Sequence, residues 1–238
     1  MTIKSAGWVV AALAVTVGTA AAQSRKISLR TLCFQHVDGL REVLLVSGSP
    51  EKPKLIPVEL FTSTYSEPVV ASIAGDVLRF AVEVTGADGE KQLKTVAQGK
   101  LAAGARQVAV FLPSEKPGMP YRLTVIDETE KNFPMGSTLI YNLTGTKARF
   151  LIGEHRKEIG PASLGLVPLP TEVNELSQCT VRVGLLGPDG KWIPVSSTAW
   201  RVSGEMRSLA LAYIHPRTRQ PVVNCLQETP PWRLPQFE

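Results

Sequence analysis

Alternation of apolar residues over many short segments is the feature that most constrains how this chain can fold. In residues 76–85, Leu78, Phe80, Val82 and Val84 occupy every second position. This period of two is typical of a strand with one buried face. The pattern recurs in residues 107–112, 121–126, 138–143, 147–152, 180–186 and 208–214, and only residues 171–177 resemble a turn of helix. The sequence therefore predicts an all-β protein.

Turn signals separate these segments. Asp-Gly pairs stand at residues 38–39, 88–89 and 189–190, and such pairs favour tight hairpins because they tolerate positive φ. Proline-rich stretches fall at residues 49–57, 113–120 and 161–170. Many short strands with regular turns are typical of a β-sandwich or an open barrel.

Two parts of the chain resemble each other. The segments that begin at Thr85 and Leu186 each contain a Gly-x-Asp-Gly turn, a strand, a glycine turn and an alternating strand, so that Gly86 matches Gly187 and Gly104 matches Gly204. We predict two similar Ig-like or jelly-roll-like β-sandwich halves, residues 23–131 and 132–238, related by internal duplication. The alternative to duplication is that the two segments are alike only because any two β-hairpins share these features.

The first 22 residues have the pattern of a secretory signal peptide. Lys4 precedes an uncharged stretch at residues 7–22, which ends in Ala20-Ala21-Ala22, a small-residue cleavage site. The stretch is shorter than the ~20 residues of a membrane-spanning helix. We predict cleavage, a secreted or periplasmic location and no membrane span afterwards; a retained helical anchor is the alternative.

Charge argues against one class of partner. Without residues 1–22 the chain has 216 residues and a net charge of +4. No block of like charges reaches five, and aromatic residues make up 6% of the chain. A nucleic-acid partner is therefore not expected.

The middle of the chain carries a family resemblance. Residues 121–163, YRLTVIDETEKNFPMGSTLIYNLTGTKARFLIGEHRKEIGPAS, and residues 192–200, WIPVSSTAW, resemble an uncharacterised family of secreted bacterial all-β proteins. In this chain Ile159-Gly160-Pro161 stands where the family has a plainer Pro-Gly turn. The resemblance implies a β fold and a secreted location. It implies no activity, because the family has no assigned function.

The three cysteines allow at most one internal disulfide. Cys179 and Cys225 both lie in the C-terminal half and are the candidate pair, with Cys33 left as a small buried residue. An oxidising compartment permits this bridge without requiring it, so the three thiols can equally remain free.

Catalytic and metal-binding motifs are missing from the sequence. No H-x-x-x-H, C-x-x-C or Gly-x-Ser-x-Gly pattern occurs. A triad of Ser137, His155 and Asp127, or a metal site that includes Glu154 and His155, would have to assemble in space. We therefore predict no catalytic residues, no metal and no cofactor, and we expect the protein not to be an enzyme.

One cluster of carboxylates, Asp127, Glu128 and Glu130, lies in a predicted turn. Acid and base carboxylates of a glycoside hydrolase face each other across a cleft, whereas neighbours in one turn face the same solvent. We therefore interpret the cluster as a solvated turn, with a weak calcium loop as the alternative.

Four residues are candidates for ligand binding: Trp192, Trp200, Tyr141 and His155. Trp192 and Trp200 are eight residues apart, so one continuous strand would place both on the same face. On a solvent face they would form a stacking platform, and in the core they would fill volume.

The sequence as a whole favours a non-catalytic protein. We predict that it binds a protein, glycan or envelope component through a sheet edge or a loop face. A carbohydrate-binding module, a hydrolase with a spatially assembled site and a subunit that assembles by strand addition are the alternatives.

Overall fold

The computed structural model describes residues 24–49, 51–86 and 88–234; the predicted signal peptide lies outside the described residues. Sixteen strands account for most of them: β1 Ser24–Cys33, β2 Glu42–Ser49, β3 Lys52–Glu59, β4 Val69–Ala74, β5 Val77–Thr85, β6 Lys91–Lys100, β7 Arg106–Pro113, β8 Tyr121–Asp127, β9 Thr138–Asn142, β10 Ala148–Ile152, β11 His155–Ile159, β12 Ser163–Val167, β13 Gln178–Leu186, β14 Trp192–Arg201, β15 Arg207–Ile214 and β16 Pro221–Glu228. The only helix in these ranges is a 3₁₀ turn at Pro231–Arg233. The all-β prediction is confirmed, and residues 171–177 form no helix.

The strands pair in the same pattern twice. β1 pairs with β4 antiparallel and with β7 parallel, and β7 pairs with β8 antiparallel. In the same way β9 pairs with β12 antiparallel and with β15 parallel, and β15 pairs with β16 antiparallel. The β2–β3, β2–β5 and β5–β6 pairs likewise correspond to β10–β11, β10–β13 and β13–β14. β1–β8 and β9–β16 are therefore two similar halves, which meet between Asp127 and Thr138.

The matching extends to turn geometry. In the β5–β6 turn the Gly89 N–H donates to the Gly86 carbonyl, and in the β13–β14 turn the Gly190 N–H donates to the Gly187 carbonyl. The φ angles of Gly89 and Gly190 are 81° and 76°. Strands β5, β6 and β7 have the same lengths as β13, β14 and β15, which begin 101 residues later in each case. The two hairpins that suggested a repeat thus occupy equivalent positions.

The halves differ in how their sheets are joined. In the first half a single bridge between Gly48 and Ile73 links β2 to β4, so that all eight strands form one sheet, which curls into a half-barrel. In the second half β11-β10-β13-β14 and β12-β9-β15-β16 are separate sheets, packed around one apolar core. The predicted two-sheet sandwich thus describes the second half better than the first.

A third apolar core joins the halves. This central core combines residues of β1, β7 and β8 with residues of β9 and β15 and with Phe133 of the connection between the halves: Leu32, Val108, Val110, Leu112, Ile126, Phe133, Leu139, Tyr141, Leu209 and Leu211. Val108 and Val110 correspond to Leu209 and Leu211 in the repeated pattern. Strands β7 and β15 are consequently buried on both faces.

Residues at the apolar positions of the alternating segments are mostly buried. Phe80, Val110, Tyr141, Phe150, Val183 and Leu211 are buried, Val82 and Leu123 are half-buried, Val84 is exposed, and the neighbouring Arg79, Glu83, Arg122 and Arg182 are exposed. Alternation therefore identified most of the buried faces, but it failed at the end of β5.

Candidate functional site

The two tryptophan candidates lie on opposite faces of strand β14. Trp200 pairs with the inward-facing Cys179 and packs against the second-half core. Trp192 pairs with Leu186 and lies on the outer face, with its ring 3.8 Å from the Arg149 guanidinium carbon. A β-bulge at Val195 inserts one extra residue between them, which reverses the alternation. The expectation of a shared face, and so of a paired stacking platform, is wrong.

Tyr141 and His155, the other two binding candidates, do not lie with either tryptophan. Tyr141 is buried in the central core, where its hydroxyl is 2.6 Å from Thr124 Oγ1 and links β9 to β8. His155 is half-exposed at the start of β11, with Nε2 3.3 Å from Glu154 Oε1. The four candidates therefore form no single site.

The residues considered for catalysis are each held locally. Ser137 Oγ donates to the Pro134 carbonyl at 2.6 Å. Asp127 accepts hydrogen bonds from the Thr129 N–H and hydroxyl and from Asn132. No hydrogen bond joins Ser137, Asp127 and His155, and within residues 24–49, 51–86 and 88–234 no group of three or more His, Cys, Asp or Glu side chains could hold a metal ion.

The three cysteines are free thiols in the structure. Cys179 is on β13 and Cys225 is on β16, in different sheets. The candidate Cys179–Cys225 disulfide is therefore not formed. Burial raises the pKa of the Cys225 thiol to about 11, which makes it a poor nucleophile near neutral pH.

The carboxylate turn contains a residue that is not solvated. Glu128 is fully buried, at 0% exposure, directly after β8. It belongs to a cluster of four charged side chains, Arg30, Glu128, Arg207 and Glu228, which we call the ion cluster. The prediction of a solvated turn is thus wrong for Glu128, although Glu130 does reach the surface and pairs there with Arg233 at 2.7 Å.

The ion cluster ties the halves together crosswise. Arg30 donates to Glu128 of its own half at 2.6 Å and to both carboxylate oxygens of Glu228 in the other half, at 2.6 and 2.7 Å. Arg207 donates to Glu228 of its own half at 2.9 and 3.0 Å. It also donates to the carboxylate and, at 2.9 Å, to the carbonyl oxygen of Glu128 in the other half.

Aromatic rings enclose the two guanidinium groups. The Arg30 guanidinium lies 4.4 Å from the centre of the Tyr65 ring, and that of Arg207 lies 4.5 Å from the Phe133 ring. Trp232, on the 3₁₀ turn, lies near both arginines and near Arg106. Burial disfavours the charge on Arg30, but its hydrogen bonds to Glu228 and Glu128 outweigh burial and raise the pKa of the guanidinium.

Two arginines and two glutamates leave the ion cluster with no net charge, so every buried charge has partners. A buried ion pair adds little net stability, because desolvation offsets the attraction. Removal of one partner is nevertheless strongly destabilising, because it leaves an unpaired buried charge. The cluster therefore links the two halves through paired charges, and we expect it to act as an orientation lock between them, added to the apolar central core.

An open cleft of about 470 Å³ lies above Arg30 and Glu228. One wall is the run of consecutive residues 224–229 in and just after β16, and the other wall is residues 62–67. Because consecutive strand residues point alternately to opposite faces, a cleft lined by all of them runs along the edge of the strand. We call it the β16-edge cleft.

Strand β16 pairs only with β15 and ends its sheet. Other edges are blocked: β3 contains Pro53 and Pro57, β14 contains Pro194, β8 lies against β6, and β11 lies against β12. Strand β16 also contacts β14, and Gln227 Nε2 donates to the Arg201 carbonyl at 2.6 Å. In β16 the only proline is Pro221, its first residue. Residues 222–228 thus present an edge that lacks proline protection against strand addition.

The opposite wall departs from the repeated pattern. Nine residues, 60–68, connect β3 to β4, whereas three residues, 160–162, connect β11 to β12 at the equivalent place. The longer loop is held against β1, since the Thr31 N–H donates to Ser66 Oγ and the Ser66 N–H donates to the Thr31 carbonyl, both at 2.9 Å. The first half therefore supplies a wall beside β16 for which the second half has no counterpart.

The sequence did not reveal this site. Residues 62–67, Thr-Ser-Thr-Tyr-Ser-Glu, have the composition of an ordinary loop. Two features of the sequence could have indicated the site. One is Arg30, a charged residue that stands between Leu29 and Leu32, and the other is the loop before β4, which is longer than the loop before β12. Both can be recognised only when the two halves are aligned strand by strand.

Comparisons with known proteins do not assign the chain to a family. No family model and no curated protein matches the chain. The chain is similar to a solved structure from Bacteroides uniformis named as a "putative cell adhesion protein", with 11% identity, a TM-score of 0.24 and coverage of 86% of this chain and 97% of that one. Within the described ranges, no helix has the length and apolar character needed to cross a membrane.

Proposed function

We propose that this protein is a non-catalytic binding protein that captures an extended polypeptide segment of a partner in the β16-edge cleft. The observation that carries the proposal is the edge of β16 at residues 222–228, which contains no proline and faces a loop wall present only in the first half. An added strand would pair with the free backbone groups of β16, and this would give affinity largely independent of ligand sequence.

Charge in the cleft favours a basic segment. Glu67 is exposed at the rim and is the one charged residue of the lining outside the ion cluster. Arg30 and Glu228, the other two charged residues of the lining, are paired within the neutral ion cluster. We therefore expect the bound segment to carry at least one Lys or Arg.

Location and domain organisation complete the proposal. The signal-peptide pattern of residues 1–22 supports a secreted or periplasmic protein, which would meet its partner outside the cytoplasm. We assign the halves to two β domains, residues 23–131 and 132–238. The central core and the ion cluster join these domains, and we expect them to fix the positions of the two cleft walls relative to each other.

The test is selection of random heptapeptides on the full mature chain, followed by affinity measurement. Thr64→Trp would fill the cleft from its exposed rim, and Thr85→Trp, at the exposed end of β5, is the matched control. We expect selected peptides with Lys or Arg that bind Thr64→Trp at least about tenfold more weakly and the control unchanged. Failure to select any peptide, or equal binding to Thr64→Trp, contradicts the proposal.

A further inference from the structure

A second feature lies on the outer face of the β11-β10-β13-β14 sheet, which is a different sheet from that of β16, and it shares no lining residue with the β16-edge cleft. A shallow groove of about 220 Å³ is lined by residues of β10, β13 and β14: Arg149, Leu151, Arg182, Val183, Gly184, Trp192, Pro194, Ser196 and Ser197. Gly184, which has no side chain, leaves space beside the half-exposed indole of Trp192. The groove is thus an aromatic and apolar surface with hydroxyl groups along one side.

The charge around this groove is predominantly basic. Arg149 and Arg156 share one carboxylate, that of Glu158, at 2.9 and 2.8 Å. Arg182 is exposed, and it has no acidic partner among the residues that the structure describes. Three arginines against one glutamate leave an excess of positive charge beside the indole.

We propose that this groove binds an acidic polysaccharide, with one uronate ring against Trp192 and its carboxylate on Arg182. The Arg149 guanidinium already lies 3.8 Å from the Trp192 ring, and the remaining exposed surface of the indole offers a flat apolar surface to the C–H face of a sugar ring. A guanidinium donates paired hydrogen bonds to a carboxylate. The groove is smaller than the ~300–1,000 Å³ pockets that enclose drug-sized ligands, as suits a single ring of a chain that runs across an open sheet face.

The site is independent of the β16-edge cleft, so either proposal can fail without the other. Together they describe a protein that holds a polypeptide at one edge and an acidic glycan on another sheet.

The experiment measures binding of the full mature chain to immobilised polygalacturonate, its methyl ester and dextran. The ester keeps the sugar rings and removes the charge. The variants are Trp192→Ala and Arg182→Gln, with Arg79→Gln as a control because Arg79 is an exposed arginine of the other half. Thermal unfolding verifies that each variant is folded.

We expect polygalacturonate binding that weakens about tenfold or more in each groove variant, as loss of a charge-assisted hydrogen bond or a stacking contact implies. The Arg79→Gln variant should bind like the parent, and the ester and dextran should bind at least about tenfold more weakly. No binding to polygalacturonate, equal binding to the ester, or full binding by folded Trp192→Ala and Arg182→Gln overturns the proposal. Equal affinity for single-stranded oligothymidine also overturns it, because the groove would then be a general anion surface.

Discussion

Arg30 is a residue whose burial is not predicted by the alternation of apolar and polar residues. It stands in β1 between Leu29 and Leu32, both buried, at a position where alternation predicts a solvent-facing side chain. That face is instead covered by the second half, so Arg30 is buried with Glu128 and Glu228. Alternation reports one buried face of a strand, and it cannot report a second face that becomes buried only when two halves meet.

Removal of one charge from the ion cluster should be costly. Glu128→Gln keeps the shape of the side chain but leaves two buried arginines with one carboxylate, and we expect unfolding free energy to fall by about 3–5 kcal/mol. Glu130→Gln, which breaks the exposed pair with Arg233, should cost no more than about 1 kcal/mol. Urea unfolding of both variants measures the difference. A Glu128→Gln cost as small as that of Glu130→Gln would show that the cluster is not a lock.

Tyr121 should make the protein sensitive to alkali. Burial raises the pKa of its phenol to about 12, above the ~10 of an unfolded chain. A raised folded-state pKa contributes stability that is present below pH ~10 and is lost as the pH rises toward 12. Unfolding free energy should therefore decline over this window. Burial also raises the pKa values of Tyr65 and Cys225, so Tyr121→Phe should flatten the decline in part. Urea unfolding of both proteins at each pH measures how unfolding free energy changes with pH. An unchanged slope in the Tyr121→Phe variant would assign the alkaline loss of stability to other groups.

Strand β14 shows, at the scale of elements, where sequence reasoning succeeds and where it stops. Its position after β13 and its pairing with β13 follow from the Gly-x-Asp-Gly turn and from the repeated segment that begins at Leu186. The bulge at Val195 does not, because a bulge depends on the partner strand, and it separates Trp192 from Trp200. Pro194 was the visible sign of an irregularity, but it could not indicate which face each indole would take.

The repeated hairpins provide a matched pair of substitutions. Gly89 and Gly190 both have positive φ, and in both cases an added Cβ would meet no atom within 4 Å. Alanine at either position should therefore cost only the strain of left-handed backbone, about 1–2 kcal/mol. We expect Gly89→Ala and Gly190→Ala to lower unfolding free energy by equal amounts within about 0.5 kcal/mol. Chemical denaturation that gave clearly unequal costs would argue against equivalent turns.

The molecule as a whole combines a repeated pattern with a few departures from it. The central core uses the same face of β7 and β15, so the halves meet through equivalent surfaces. The β16-edge cleft depends on the longer loop, residues 60–68, which the repeat does not contain. Turn spacing predicted the repeat, whereas the cleft depends on how the two halves pack and was not predictable from either half alone.

The two halves should unfold together, because the central core and the ion cluster both span them. We expect one calorimetric transition with equal calorimetric and van't Hoff enthalpies. Two resolved transitions would mean that the contact between the halves is too weak to couple them, and that the cleft walls can separate.

Hydrogen exchange on the full mature chain tests the proposed binding mode most directly. A selected heptapeptide that pairs with the edge of β16 would protect backbone amides of residues 222–228, which otherwise exchange through their open side, and would also slow exchange in residues 62–67. The account predicts protection confined to these two segments. Saturating peptide that leaves residues 222–228 unprotected, or that protects another surface instead, would contradict it.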